Sequence, residues 1–181
     1  MKHLSSLTKL TAVALLASMS VASAAAADRN KANVPLAEKV RHELVMLPWL
    51  GVFDDLRFEL DGDTVTLSGQ VYRPTLKSDA ERVVRNIAGV ERVKNNIEVL
   101  PLSPYDDRVR IAVARAVFGP NALYRYALGA QPSVRIIVKN GNVRLTGVVA
   151  NEFDRNLAYI RAMGVAGAFT VTNDLAVASR T

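Results

Sequence analysis

A single offset lays the second half of this chain on the first. Shifted by 78 residues, Val65, Leu67, Gly69 and Val71 fall on Val143, Leu145, Gly147 and Val149. The same shift carries Gly89, Val93, Asn95, Ile97 and Val99 onto Gly167, Val171, Asn173, Leu175 and Val177. Two separated strips sharing one offset describe a duplication, and two copies are too few for a solenoid, which needs about three or more repeats. The folding problem reduces to one small domain built twice. The joint is Leu100-Pro101-Leu102-Ser103-Pro104, where two prolines make a short, stiff linker.

Each copy carries the same order of elements. In the first, Leu36, Val40, Leu44 and Leu47 recur at helical spacing after Asn33-Val34-Pro35, and Pro48 stops them. Leu56, Phe58 and Leu60 alternate with Arg57 and Glu59, the pattern of a half-buried strand. Asp61-Gly62-Asp63 turns the chain, and Val65, Leu67 and Val71 return on a second strand. A helix with Leu76, Ala80, Val83, Val84 and Ile87 follows, closed by Gly89, and Val93, Ile97 and Val99 form a last strand.

In the second copy Asp106 or Asp107 is expected to cap a helix carrying Val109, Val113 and Val117. Val134, Ile136 and Val138 form a strand, Asn140-Gly141 the hairpin turn, and Val143 to Val149 the returning strand. Asn151 with Asp154 three residues on resembles a capping box, opening a helix expected to bury Phe153, Leu157, Ile160 and Met163. Phe169 to Val177 completes the unit. The expected fold is α+β: two tandem αββαβ domains, each a three-stranded mixed sheet with both helices on one face.

These residues resemble the BON domain family. The likeness rests on Asp61-Gly62-Asp63-Thr64-Val65-Thr66-Leu67-Ser68-Gly69 followed by Ala88-Gly89-Val90-Glu91-Arg92-Val93-Lys94-Asn95, and on their second-copy counterparts, Asn140 to Gly147 and Gly167 to Asn173. The resemblance implies a non-enzymatic αββαβ module of bacterial envelope proteins, linked to osmotic stress, that attaches to phospholipid surfaces or to other envelope components. The second copy departs from the family pattern in having Gly167-Ala168 for Gly-Val, and in extra residues around Asn121 to Gln131. The repeated Gly69, Gly89, Gly147 and Gly167 are read as structural. The first of each pair bends its strand and the second ends a helix in a left-handed conformation, while Asn95 and Asn173 satisfy backbone groups.

Residues 1–27 read as a secretory signal, with Lys2 and Lys9 ahead of an apolar run from Leu10 to Met19, and Ala22-Ser23-Ala24 or Ala25-Ala26-Ala27 as the cleavage site. That run is shorter than the roughly 20 residues a membrane-spanning helix needs. The expected organisation is a signal over 1–27, a first domain over 28–101 and a second over 102–181, exported to the periplasm. With no cysteine, the chain has no disulfide, no thiolate metal site and no lipidated cysteine, so any membrane attachment is reversible.

The sequence offers little for catalysis. His42 is the one histidine beyond the signal, too few for a metal site of the usual His and Cys ligands. The pairs Asp54-Asp55, Asp61/Asp63 and Asp106-Asp107 fall at loops, turns and a helix start, where capping explains them. No phosphate loop, nucleophile elbow or dinucleotide fingerprint is present. The expectation is a non-enzyme without cofactor or metal. Export and the lack of a groove-reading basic helix argue against nucleic acid.

Charge divides unevenly between the copies. Asp28 to Pro101 holds 11 basic and 12 acidic residues, whereas Leu102 to Thr181 holds 10 and 5. Strand alternation puts Arg135, Lys139 and Arg144 on the sheet face opposite the apolar one, and the insertion adds Tyr124, Arg125 and Tyr126. A tyrosine suits a lipid interface, and each basic residue near an anionic surface contributes about 1 kcal/mol. These six are the expected contacts to an anionic phospholipid surface. Two other readings stand beside that one: the insertion packs its own domain, and the basic face contacts the first copy. Trp49, with Leu50, Val52 and Phe53, is either core or a contact site of the first copy. The second functional reading is a scaffold that binds other envelope proteins.

Overall fold

A computed structural model describes residues 35–119, 123–129 and 132–179, so the signal reading over 1–27 lies outside the described residues. The first domain begins with helix α1 at 35–45. Strands β1 (Asp55–Asp61) and β2 (Thr64–Val71), helix α2 (Pro74–Arg85), and the short strands β3 (Arg92–Asn95) and β4 (Glu98–Val99) complete it. The second domain has α3 (Pro104–Phe118), a single 3-10 turn (Tyr124–Ala127), β5 (Val134–Lys139), β6 (Asn142–Val149), α4 (Glu152–Met163) and β7 (Thr170–Val177).

In each sheet the hairpin is antiparallel and the last strand joins the second in parallel, β3 and β4 on β2 and β7 on β6. The order is β1-β2-β3 in one domain and β5-β6-β7 in the other, the mixed sheet that the repeat predicted. Strand alternation then sorts the residues. Val65, Leu67 and Val71 bury one face of the first sheet against Val40 and Leu44 of α1 and Leu76, Ala80 and Val84 of α2. Val134, Ile136, Val138, Val143, Leu145 and Val149 do the same against Val109, Val113 and Val117 of α3 and Ala158 and Ala162 of α4. Both helices of each copy therefore lie on one side of its sheet.

The repeated residues hold the repeated geometry. The Asn95 amide donates to Lys77 O at 2.9 Å and its oxygen accepts from Ile97 N at 3.2 Å. Asn173 does likewise with Arg155 O at 3.1 Å and Leu175 N at 3.3 Å. Each asparagine thus ties the last strand to the helix before it. Gly69 and Gly147 have φ of 107° and 120°, and a Cβ on either would overlap a main-chain oxygen of the neighbouring strand, that of Asp55 or Ser133. Only glycine lets the two backbones approach so closely.

Four expectations need correction. The cap of α3 is Ser103, whose Oγ accepts from Asp106 N at 3.2 Å, with Pro104 in the first turn. Asp106 is instead buried and accepts from Asn140 N and Gly141 N at 2.8 Å each, fastening the β5–β6 hairpin to α3. Gly89 and Gly167, with φ of 100° and 96°, do not cap helices: α2 and α4 end at Arg85 and Met163, and the glycines turn the chain into the next strand. The last strand of the first domain is two pieces, β3 and β4, with Asn96 and Ile97 between them outside the paired residues.

The fourth correction concerns α4. Asn151 caps it as expected, accepting from Asp154 N at 2.9 Å. The buried face, however, is Asp154, Ala158 and Ala162, with Leu157 half-buried. Phe153, Ile160 and Met163 point outward, 71%, 65% and 57% exposed. Small alanines let the helix lie close on the sheet, which rotates the large side chains away from it.

Candidate functional site

The two domains meet through the sheet faces that carry no helices. On the first, strand alternation presents Asp55, Arg57, Gln70 and Glu98; on the second, Arg135, Ile137, Lys139, Arg144 and Asp174. Lys139 Nζ pairs with Glu98 and Arg144 donates to Gln70 Oε1 at 2.6 Å. Arg144 also lies 3.6 Å from the buried Asp55 carboxylate and 3.9 Å from Asp174. Ile137 is only 2% exposed although it lies on this otherwise polar face. The hydrogen bonds from Lys139 and from Gln70 hold the Glu98 carboxyl below its ordinary range.

A loop of the first domain closes the contact. Val52 O accepts from Ile136 N at 2.8 Å, covering part of the open edge of β5, and Val52 and Phe53 pack on the second core. Asp54 fixes that loop, accepting from Gly51 N at 2.9 Å and Tyr72 N at 2.7 Å. Burial raises the Asp54 carboxyl above its ordinary range, opposed by those two backbone bonds and by Arg73 and Arg110. The buried Arg110 of α3 donates to Val138 O at 2.7 Å and to Asp107 at 2.5 Å, and its guanidinium lies 4.8 Å from the ring centre of Tyr72. The sequence reading did not single out Arg110, since a cation within a helix gives no sign of what its tip will meet.

The six residues expected at a lipid surface therefore separate. Lys139 and Arg144 are engaged by the first domain, as the competing reading of the basic face supposed. Arg135 points toward the same side, beside Arg41 and Arg57. Tyr126 is 7% exposed and its hydroxyl donates to Asp154 Oδ2 at 2.5 Å while accepting from Ala150 N at 2.9 Å. Arg125 reaches the same carboxylate and stays 54% exposed along its side chain. Tyr124 is 57% exposed. The insertion thus both packs its domain, through Leu123 and Tyr126, and presents Tyr124 and Leu128 outward.

Arg125 and Tyr126 converge on Asp154, in the first turn of α4, which places the 3-10 turn at the end of the helix that carries Phe153. From there Ile160 and Met163 extend the apolar row along the helix. On α3 the outward residues are Arg108, Ile111 and Arg115, and Ile111 and Arg115 border a wide-open hollow of about 470 Å³ also lined by Phe53 and Phe118. Arg161 of α4 donates to Val117 O at 3.4 Å, linking the two helices. The helical layer of the second domain is therefore a surface of exposed apolar side chains with cations among them. Trp49 is exposed too, with φ of 71° and the Arg73 guanidinium 4.9 Å from its ring centre, so it does not fill the core.

Among the described residues no group of three His, Cys, Asp or Glu is placed to hold a metal ion. Among the same residues no helix is long and apolar enough to cross a membrane.

The BON domain family matches residues 33–101 and 124–179, well over half of the chain, and the protein belongs to that family. The duplicated αββαβ unit is thereby a tandem pair of BON domains. No curated protein matches the chain. Two solved structures are similar to it, both of CdsD, a structural protein of the type III secretion system of Chlamydia trachomatis. One has 15% identity over 80% of this chain and 94% of that one, with a TM-score of 0.31. The other, the C-terminal domain, has 15% identity over 81% and 98%, with a TM-score of 0.31.

Proposed function

We propose that this BON-domain protein is a non-enzymatic envelope module, acting in the periplasm, that attaches reversibly to anionic phospholipid surfaces through the helical layer of its second domain. The observation that carries the reading is the outward row Phe153, Ile160 and Met163 on α4, more than half exposed at each position. Large apolar side chains aligned on one helix face are uncommon on a surface that meets only water. Tyr124 stands at one end of the row, Arg125 beside it is held by Asp154, and Arg108 and Arg115 lie on the neighbouring helix. Rings and aliphatic chains enter the interfacial zone while guanidiniums meet phosphates, each contributing about 1 kcal/mol.

The sheet face is the poorer candidate, because Lys139 and Arg144 face the first domain, ion-paired with Glu98 and Asp55, and Arg144 also donates to Gln70. Co-sedimentation with vesicles tests the reading. The protein pellets with phosphatidylglycerol-containing vesicles, less so as salt rises and little with phosphatidylcholine alone. Equal binding to both compositions, or none to either, overturns it. A role in osmotic protection follows from envelope attachment and is tested by growth of a deletion strain under osmotic upshift.

A further inference from the structure

We infer that the hollow between α1, β1 and β5 is a binding site for a phosphate group carried on a small organic body. Arg41 of α1, Arg57 of β1 and Arg135 of β5 all line this space of about 280 Å³, and no carboxylate does. Asp55 holds Arg57 from behind through two guanidinium nitrogens, fixing its direction. The nearest anion to Arg41 is Glu38 at 4.0 Å, both well exposed, and Arg135 has no ion-pair partner among the described residues. Asp55 neutralises Arg57, so Arg41 and Arg135 supply the net positive potential of the recess, and guanidinium forks match phosphate oxygens two at a time.

The remaining walls are Leu44, Val45, Leu56 and Phe58. They give a mostly polar recess a smaller apolar side, which suits the carbon of a phosphate ester beside its phosphate. The volume lies just below that of most ligand pockets, which run from about 300 to 1,000 Å³, and suits a headgroup-sized molecule rather than a whole lipid. Two arginines come from the first domain and one from the second, so the bound ligand joins the domains and raises thermal stability by mass action. This site is separate from the apolar row on α4.

Titration calorimetry and thermal unfolding of the mature chain with sn-glycerol 3-phosphate, inorganic phosphate and neutral glycerol test the assignment. Glycerol 3-phosphate is expected to bind saturably at one site and raise the melting temperature, inorganic phosphate to bind more weakly, and glycerol not at all. Arg135→Gln and Arg41→Gln, both at positions outside the cores, each lower the affinity about tenfold or more while circular dichroism stays unchanged. A lipid headgroup as the source shows itself if glycerol 3-phosphate gives no heat but both variants leave phosphatidylglycerol vesicles at lower salt than the parent does. Failure of all the anionic probes to separate the parent from the two variants overturns the site. Vesicle binding by the parent protein is scored independently, so either conclusion can fall without the other.

Discussion

At the scale of single residues, the glycines show most directly how the sequence encodes the backbone. Gly147 and Gly62 both have positive φ, 120° and 60°, but a Cβ on Gly147 meets the Ser133 oxygen whereas one on Gly62 meets nothing within 4 Å. Gly62→Ala should therefore cost only the left-handed penalty, about 1–2 kcal/mol, and Gly147→Ala clearly more, since the strands must separate. Urea unfolding of the two variants measures the difference. Other single-residue roles were not legible. Asp106 carries the sequence signature of a cap, yet the prolyl turn beginning at Ser103 supplies the cap and leaves the Asp106 carboxylate to the hairpin 34 residues away. A short polar side chain near a helix start satisfies whichever N–H groups the tertiary fold brings to it, and the sequence does not order those choices.

At the scale of elements, alternation made the hairpin strands and β7 readable, because a period of two admits one buried face, but it gave no sign of the break between β3 and β4. Helix α4 shows why a helix is harder. Phe153, Leu157, Ile160 and Met163 share the spacing of a core stripe, and Ala158 and Ala162 share it one position on. Size alone favours the first set, but close helix–sheet packing took the second. Phe153→Ser and Ile160→Ser should each change unfolding free energy by no more than about 0.5 kcal/mol, as exposed positions do. Ala162→Leu, in a site with no exposure, should cost about 1–3 kcal/mol through overpacking. Thermal or urea denaturation of the three variants checks the assignment. The opposite order of effects would return the large residues to the core.

At the scale of the whole molecule, the net charge of the second copy was legible, while its use was not. Strand alternation put Arg135, Lys139 and Arg144 together on one face, but nothing local to that domain says that Glu98, Asp55 and Gln70 will cover part of it. That information lies in the docking of the two copies. The Glu98 carboxyl is held below its ordinary range by Lys139 and Gln70, so its contribution is present above the unfolded value near 4.5 and lost as pH falls through the lower folded value. The domain contact should loosen as pH drops below about 4.5, and high salt should weaken the exposed Lys139–Glu98 pair at neutral pH. Small-angle scattering along a pH series reads this as an increase in radius of gyration before either domain unfolds.

Docking the sheet faces together leaves the helical layers as the outer surfaces of the pair, and on the second domain that layer carries the apolar row. Binding of the parent protein and of Phe153→Ser/Ile160→Ser to phosphatidylglycerol vesicles, compared at one salt concentration, tests this most directly. Two large side chains withdrawn from the lipid interface should lower vesicle affinity about tenfold or more with the fold intact. Undiminished binding by the folded double variant would contradict the assignment of α4 as the lipid-facing element.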